Sequence, residues 1–119
     1  MSVKMIGIED DGIAALACEE QLDGLAMTAD GDAPLRKVLG EGCYAKRVAL
    51  DLGSTAYIDS AAIGWLLSSH KAFKDAGGRL VLHSLQPGVQ RVVDMMRIGT
   101  VLELAQDREH ALTQLREHS

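Results

Sequence analysis

From Val48 to Leu115, short apolar runs alternate with stretches of helical period, and only a few residues connect one to the next. Val48-Ala49-Leu50-Asp51-Leu52 reads as a buried strand. The spacing then predicts a helix from about Ser60 to Ala76. Its apolar stripe falls at Ile63, Leu66, Leu67, His70 and Phe73, and Gly77-Gly78 stops it. Leu80-Val81-Leu82 is the next strand. Pro87 suits the first turn of another helix, with Val89, Val92, Val93 and Met96 at i, i+3, i+4 and i+7. Val101 to Leu104 is a short strand, and Asp107 opens a final helix that carries Ala111, Leu112 and Leu115 inward. Strands joined by such short helical crossovers must run parallel, through right-handed connections.

The amino-terminal part adds a different element. Residues 3–8 and 13–18 are two apolar runs joined through Asp10-Asp11-Gly12, and Asp-Gly between such runs signals a hairpin. Glu19 to Asp32, broken by Gly24 and Gly31, reads as a loop. Asp32 caps a helix over Ala33 to Leu39, with Pro34 in its first turn and Gly40 at its end. The expected fold class is α/β. A mixed, mostly parallel sheet carries an N-terminal antiparallel hairpin and about four helices, in one domain spanning residues 1–119.

Composition excludes several classes of function. The chain has 119 residues, 17 acidic and 12 basic, for a net charge of −5. Lys and Arg are scattered, and Tyr44, Tyr57, Trp65 and Phe73 do not line a basic groove, so no nucleic acid partner is expected. Apolar runs fall well short of the ~20 residues of a membrane span, and no secretory leader is visible, so the expected address is cytoplasmic. Cys18 and Cys43 lack metal-ligand spacing. Cys18 reads as a small core residue, and a thiol pair fits that address better than a disulfide. The histidines are too dispersed for a metal site, no Gly-rich phosphate loop is present, and no cofactor is expected.

Asp59-Ser60 stands at the mouth of the predicted Ser60 helix. Free backbone N–H groups and the positive end of the helix dipole meet there, so the terminus can accept an anion, including a phosphate on Ser60 itself. The alternative is a capping serine with no further duty. Ala61, Gly64 and Ser68 lie on the face opposite the apolar stripe, with Trp65 on the flank. Small residues beside one tryptophan suit a docking surface, unless Trp65 packs under a neighbouring segment. Asp59, Ser60 and His70 have the residue types of a hydrolase triad, but His70 lies about 15 Å along the helix from Ser60, and the three cannot meet.

Tyr57-Ile58-Asp59-Ser60-Ala61-Ala62-Ile63-Gly64 resembles the Asp-Ser-Ser/Thr-Gly-x-Gly element of STAS domains, the family of bacterial anti-sigma factor antagonists and sulfate-transporter tails. Gly77-Gly78-Arg79-Leu80-Val81-Leu82 is similar to the family's Gly-Gly strand, and the stretch from Pro87 to Met95 to its following helix. Gln21-Leu22-Asp23 stands where the family carries a Gly-x-Leu-Asp turn. Ala61 and Ala62 replace the second Ser/Thr and the glycine of the motif, and Glu20 replaces the glycine of the early turn. Ala62 thereby adds a methyl where a partner would approach.

The resemblance implies a regulator rather than an enzyme. Unmodified, it would bind an anti-sigma factor serine kinase and release a sigma factor. Phosphorylation of Ser60 would break the complex, and a PP2C-type phosphatase would restore it. Asp23, Asp59, Ser60, Ala61, Gly64, Trp65 and Ser68 are the expected partner-binding residues. The alternative, for which Ala61 and Ala62 leave room, is a constitutive STAS interaction subunit of an ABC-type lipid transporter.

Overall fold

The computed structural model describes residues 3–9, 12–18, 21–22, 39–40, 42–58 and 60–117. Strands β1 (Val3–Ile8), β2 (Ala14–Cys18), β4 (Arg47–Asp51), β6 (Arg79–His83) and β7 (Glu103–Ala105) form one sheet in the order β1-β2-β4-β6-β7. β3 (Gln21–Leu22) and β5 (Tyr57–Ile58) make a second, two-stranded parallel sheet. The described α-helices are α1 (Ser60–Asp75), α2 (Pro87–Met95) and α3 (Arg108–Glu117), and Cys43–Ala45 forms one 3-10 turn. Leu39 is helical and Gly40 follows at φ 78°, as a helix-ending glycine should. The rest of the helix expected over Ala33 to Leu39 lies outside the described residues.

The hairpin forms as its sequence dictates. β1 and β2 pair antiparallel, with an irregularity between Met5 and Gly7. Gly12 turns the chain at φ 86°, donating to the Glu9 carbonyl at 2.9 Å, while Glu9 N–H donates to Ile13. From β2 onward every pair in the main sheet is parallel, in the register Ala14–Val48, Val48–Leu80 and Val81–Glu103.

Helices cover both faces of the sheet, which is why β2, β4 and β6 read as unbroken apolar runs. Leu16, Leu50 and Leu82 point to the face closed by α1 and α2, where Leu66, Phe73, Val89 and Val93 are buried. Ala49 and Val81 point to the other face and meet Ala111, Leu112 and Leu115 of α3. Burying one such large side chain contributes about 1.5–3 kcal/mol. Tyr44 closes one end of the core edge-on to Phe73, with ring centroids 5.1 Å apart.

Four expectations are corrected. Gln21-Leu22, expected in a loop, is a strand, because Tyr57-Ile58 supplies its hydrogen-bonding partner from far along the chain. On α1 the buried arc runs Ala62, Trp65, Leu66, Ser69 and Phe73 with Ile63 beside it, while Leu67 and His70 are only half-buried. The same i, i+3, i+4, i+7 spacing simply begins one residue earlier, with a small polar residue in its middle. Met96 is 49 % exposed rather than inward, because α2 ends before it and Arg97 takes φ 56°. Val101 and Leu102 lie in a turn, both donating to the Ile98 carbonyl, so the last strand starts at Glu103.

Candidate functional site

At the carboxyl end of β4 the chain enters the segment that leads to Ser60, and each step is braced. Leu52 N–H donates to the His83 carbonyl at 3.0 Å, and Thr55 N–H to the Leu52 carbonyl at 3.0 Å. Asp51 Oδ1 accepts Gly53 N–H at 2.6 Å, closing an Asx-type turn. A Cβ on Gly53 would sit 2.9 Å from that same oxygen, so the tight turn favours glycine. From the other side Gln86 Nε2 donates to the Gly53 carbonyl at 2.8 Å. Gln86 is the N-cap residue of α2 yet makes no side-chain cap, because its amide is used on the loop. Thr55 and Ile58 are buried, and the parallel pairing of β5 with β3 fixes the last step before the helix.

Ser60 is the first residue of the sixteen-residue α1. Its backbone therefore stands where the helix leaves N–H groups without intrahelical acceptors. Asp23 and Asp59 lie outside the described residues. They follow Leu22 and Ile58, which are paired across the small sheet. Behind Ser60, Ala61, Gly64 and Ser68 are exposed along the outer face of α1, and a Cβ on Gly64 would meet nothing within 4 Å. Those three residues themselves carry no long side chain.

Two alanine and tryptophan assignments change. Trp65 is 6 % exposed and belongs to the core cluster beneath α1, so it is not part of the docking face expected for it. Its ring fills space between helix and sheet because the buried arc includes its position. Ala62 is fully buried, so its methyl faces the core rather than an approaching partner.

Two described groups at this end of the sheet are shifted, both chiefly by burial. Burial, and secondarily the charge of Asp51, pushes the Cys18 thiol up to about 12, so it is a neutral, free thiol. His83, 2 % exposed, is held below the ordinary histidine value by burial, with Asp51 opposing that shift, and its Nδ1 lies 2.8 Å from Ser84 Oγ. Among the described residues no group of three His, Cys, Asp or Glu side chains could hold a metal ion, and no helix is long and apolar enough to cross a membrane. Gln86 escaped the sequence reading because nothing local marks a contact thirty-three positions away. The Asp51-x-Gly53 spacing, by contrast, is a readable Asx-turn signal.

A family model described as Mlab, STAS domain, matches residues 22–106. BtrV of Bordetella bronchiseptica, named as an anti-sigma factor antagonist, is 31% identical over 96 residues that cover 81% of each chain. TM1081 of Thermotoga maritima, solved by NMR, aligns with a TM-score of 0.75 at 21% identity, over 92% of this chain and 86% of that one. The phosphorylated form of SpoIIAA, a Bacillus cell fate determinant, aligns with a TM-score of 0.64 at 16% identity, over 97% of this chain and 100% of that one. The structural likenesses carry the fold, and the family match together with BtrV carries membership: the chain belongs to the STAS domain family, of the anti-sigma factor antagonist type.

Proposed function

We propose that this chain is a non-enzymatic anti-sigma factor antagonist of the cytoplasm. It binds an anti-sigma factor serine kinase through the amino end and outer face of α1, and so frees a sigma factor. Phosphorylation of Ser60 ends the complex, and a PP2C-type phosphatase restores it. The observation that carries this reading is the placement of Ser60 at the head of α1, after a braced loop and before the small exposed residues Ala61, Gly64 and Ser68. The likeness to BtrV names the activity, and SpoIIAA is a protein of the same fold with a phosphorylated form.

The physics of such a switch is local. A phosphate adds about −1.5 to −2 charges at neutral pH. The helix terminus offsets only about 0.3–1 kcal/mol of that in an exposed setting. A docked protein closing over the remainder must desolvate it, and a loss of ~3 kcal/mol weakens binding roughly a hundredfold. No backbone movement is needed.

Incubation with the cognate kinase and ATP, followed by mass spectrometry, should place one phosphate on Ser60. Ser60→Ala should bind the kinase with or without ATP, and Ser60→Asp should bind far more weakly. Phosphate appearing elsewhere would overturn the switch. The second reading, a constitutive subunit of an ABC-type lipid transporter, draws on Ala61 and Ala62 in the motif. It requires co-purification with a transporter ATPase that is indifferent to Ser60→Asp.

A further inference from the structure

The opposite end of α1 borders a second feature. A cavity of about 540 Å³ opens where the carboxyl end of α1 meets the first residues of β6 and the turn before β7. Its volume falls in the range of small-molecule sites. Leu80 and Leu102, both buried, and the half-buried His70 line it, while Lys74 and Val101 are exposed at its border.

The polar groups around it are unevenly satisfied. Arg79 is already engaged: Nε and Nη2 hold the Glu103 carboxylate at 2.8–2.9 Å, and Nη1 donates to the Gln114 carbonyl at 2.6 Å. Glu103 is thereby neutralised. The carbonyls that end α1 are answered too, since Gly78 N–H donates to Phe73 at 2.8 Å and Gly77 N–H to Lys74 at 3.3 Å. Gly77, at φ 85°, makes this a Schellman-type stop, which mutes the negative end of the helix. What remains is one positive charge, the Lys74 ammonium, which no described carboxylate pairs. His70 adds an imidazole whose Nδ1 is sealed from solvent without a hydrogen-bond partner among the described residues. A buried polar atom left so is unfavourable, and a polar ligand group that reached it would relieve that cost.

We propose that this cavity binds a small carboxylate with an apolar body, the acid group at Lys74 and His70 and the body against Leu80, Leu102 and Val101. A purely apolar molecule would leave Lys74 and His70 unanswered. A bare anion would leave the exposed Val101 side chain at the border uncovered. The site lies at the far end of the helix that begins with Ser60, and stands whether or not Ser60 is ever modified.

The test is a titration of the intact protein with sodium octanoate, followed by ¹H–¹⁵N correlation spectra, with octanol and acetate as separate titrants. Saturable shifts should concentrate at Gly77, Gly78, Arg79 and residues 100–103, and octanol and acetate should bind at least tenfold more weakly. Lys74→Glu and Val101→Glu change exposed residues, so their spectra should remain those of the folded protein while octanoate affinity falls at least tenfold. No shift with octanoate would overturn the proposal. So would shifts spread to the exposed Ile6, Ile8 and Met95, or unchanged affinity in Lys74→Glu.

Discussion

Gln86 and Gly53, one at the threshold of α2 and the other in the turn after β4, are joined by a 2.8 Å hydrogen bond from the carboxamide to the backbone carbonyl. Through it the second helix steadies the segment that delivers Ser60. Gln86→Ala should cost only about 0.5–1.5 kcal/mol, because a single net hydrogen bond is lost. Its larger effect should appear as faster amide exchange at residues 53–56. Urea unfolding and native-state exchange together check this, and unchanged exchange would remove the bracing role.

Gly78 and Gly64 should respond in opposite directions to the same substitution. A Cβ on Gly78 would lie 2.5 Å from the Lys46 carbonyl oxygen and 2.9 Å from Ala45 backbone, neither of which can move cheaply. Gly78→Ala should therefore destabilise by about 2 kcal/mol or more, in the class of backbone strain. Gly64→Ala adds a methyl in open space within a helix and should gain about 0.5–1 kcal/mol. Denaturant midpoints of the two variants decide it.

The outer face of α1 can be probed at the same glycine. Gly64→Gln should unfold no earlier than the wild type, since glutamine is a better helix former than glycine and a Cβ there meets nothing within 4 Å. On the proposed function it should weaken kinase binding at least tenfold, by standing between two surfaces that must approach closely. Equal binding by calorimetry would move the docking face elsewhere.

Trp65 separates core from interface. With 6 % exposure, Trp65→Ala should destabilise by about 3–5 kcal/mol, the cost of an emptied aromatic site. Any loss of binding should vanish once the variant is compared at equal folded fraction. A stable Trp65→Ala with lost binding would return Trp65 to the surface.

His83 predicts a pH dependence of definite sign. Its folded-state value is lowered from 6.5, chiefly by burial, so the unfolded chain takes up the proton first as pH falls. Its contribution is complete above pH 6.5 and declines as pH drops from there toward the folded value. The urea midpoint should fall with acidification below that point, and His83→Gln should flatten this part of the profile. Titration of the ring by NMR should give a midpoint under 6.5, and one above it would reverse the argument.

The parts of this fold legible in the sequence are those where local pattern and tertiary contact agree. β4, β6 and α3 are visible because Val48, Leu50, Leu80, Leu82, Ala111 and Leu115 are buried where their spacing says they should be. The pairing of β3 with β5 was invisible, since a two-residue strand has no period and is defined only by its distant partner. On α1, helical spacing alone puts Leu67 and His70 in the stripe. Packing instead buries Ala62 and Ser69, small enough for the helix to approach the sheet, and brings Trp65 in with them. At the site, Ser60 was readable as a helix opening, but its support was not. Asp51 acts through a side-chain turn, and Gln86 through a contact between separate elements.

Cys18, closed in at the carboxyl end of β2 and kept protonated up to about 12, has a use that no partner supplies. Alkylating reagents need both access and a thiolate, and the native sheet grants neither. Its modification, read by peptide mass, thus becomes an intrinsic clock for the rare excursions in which β2 leaves its neighbours.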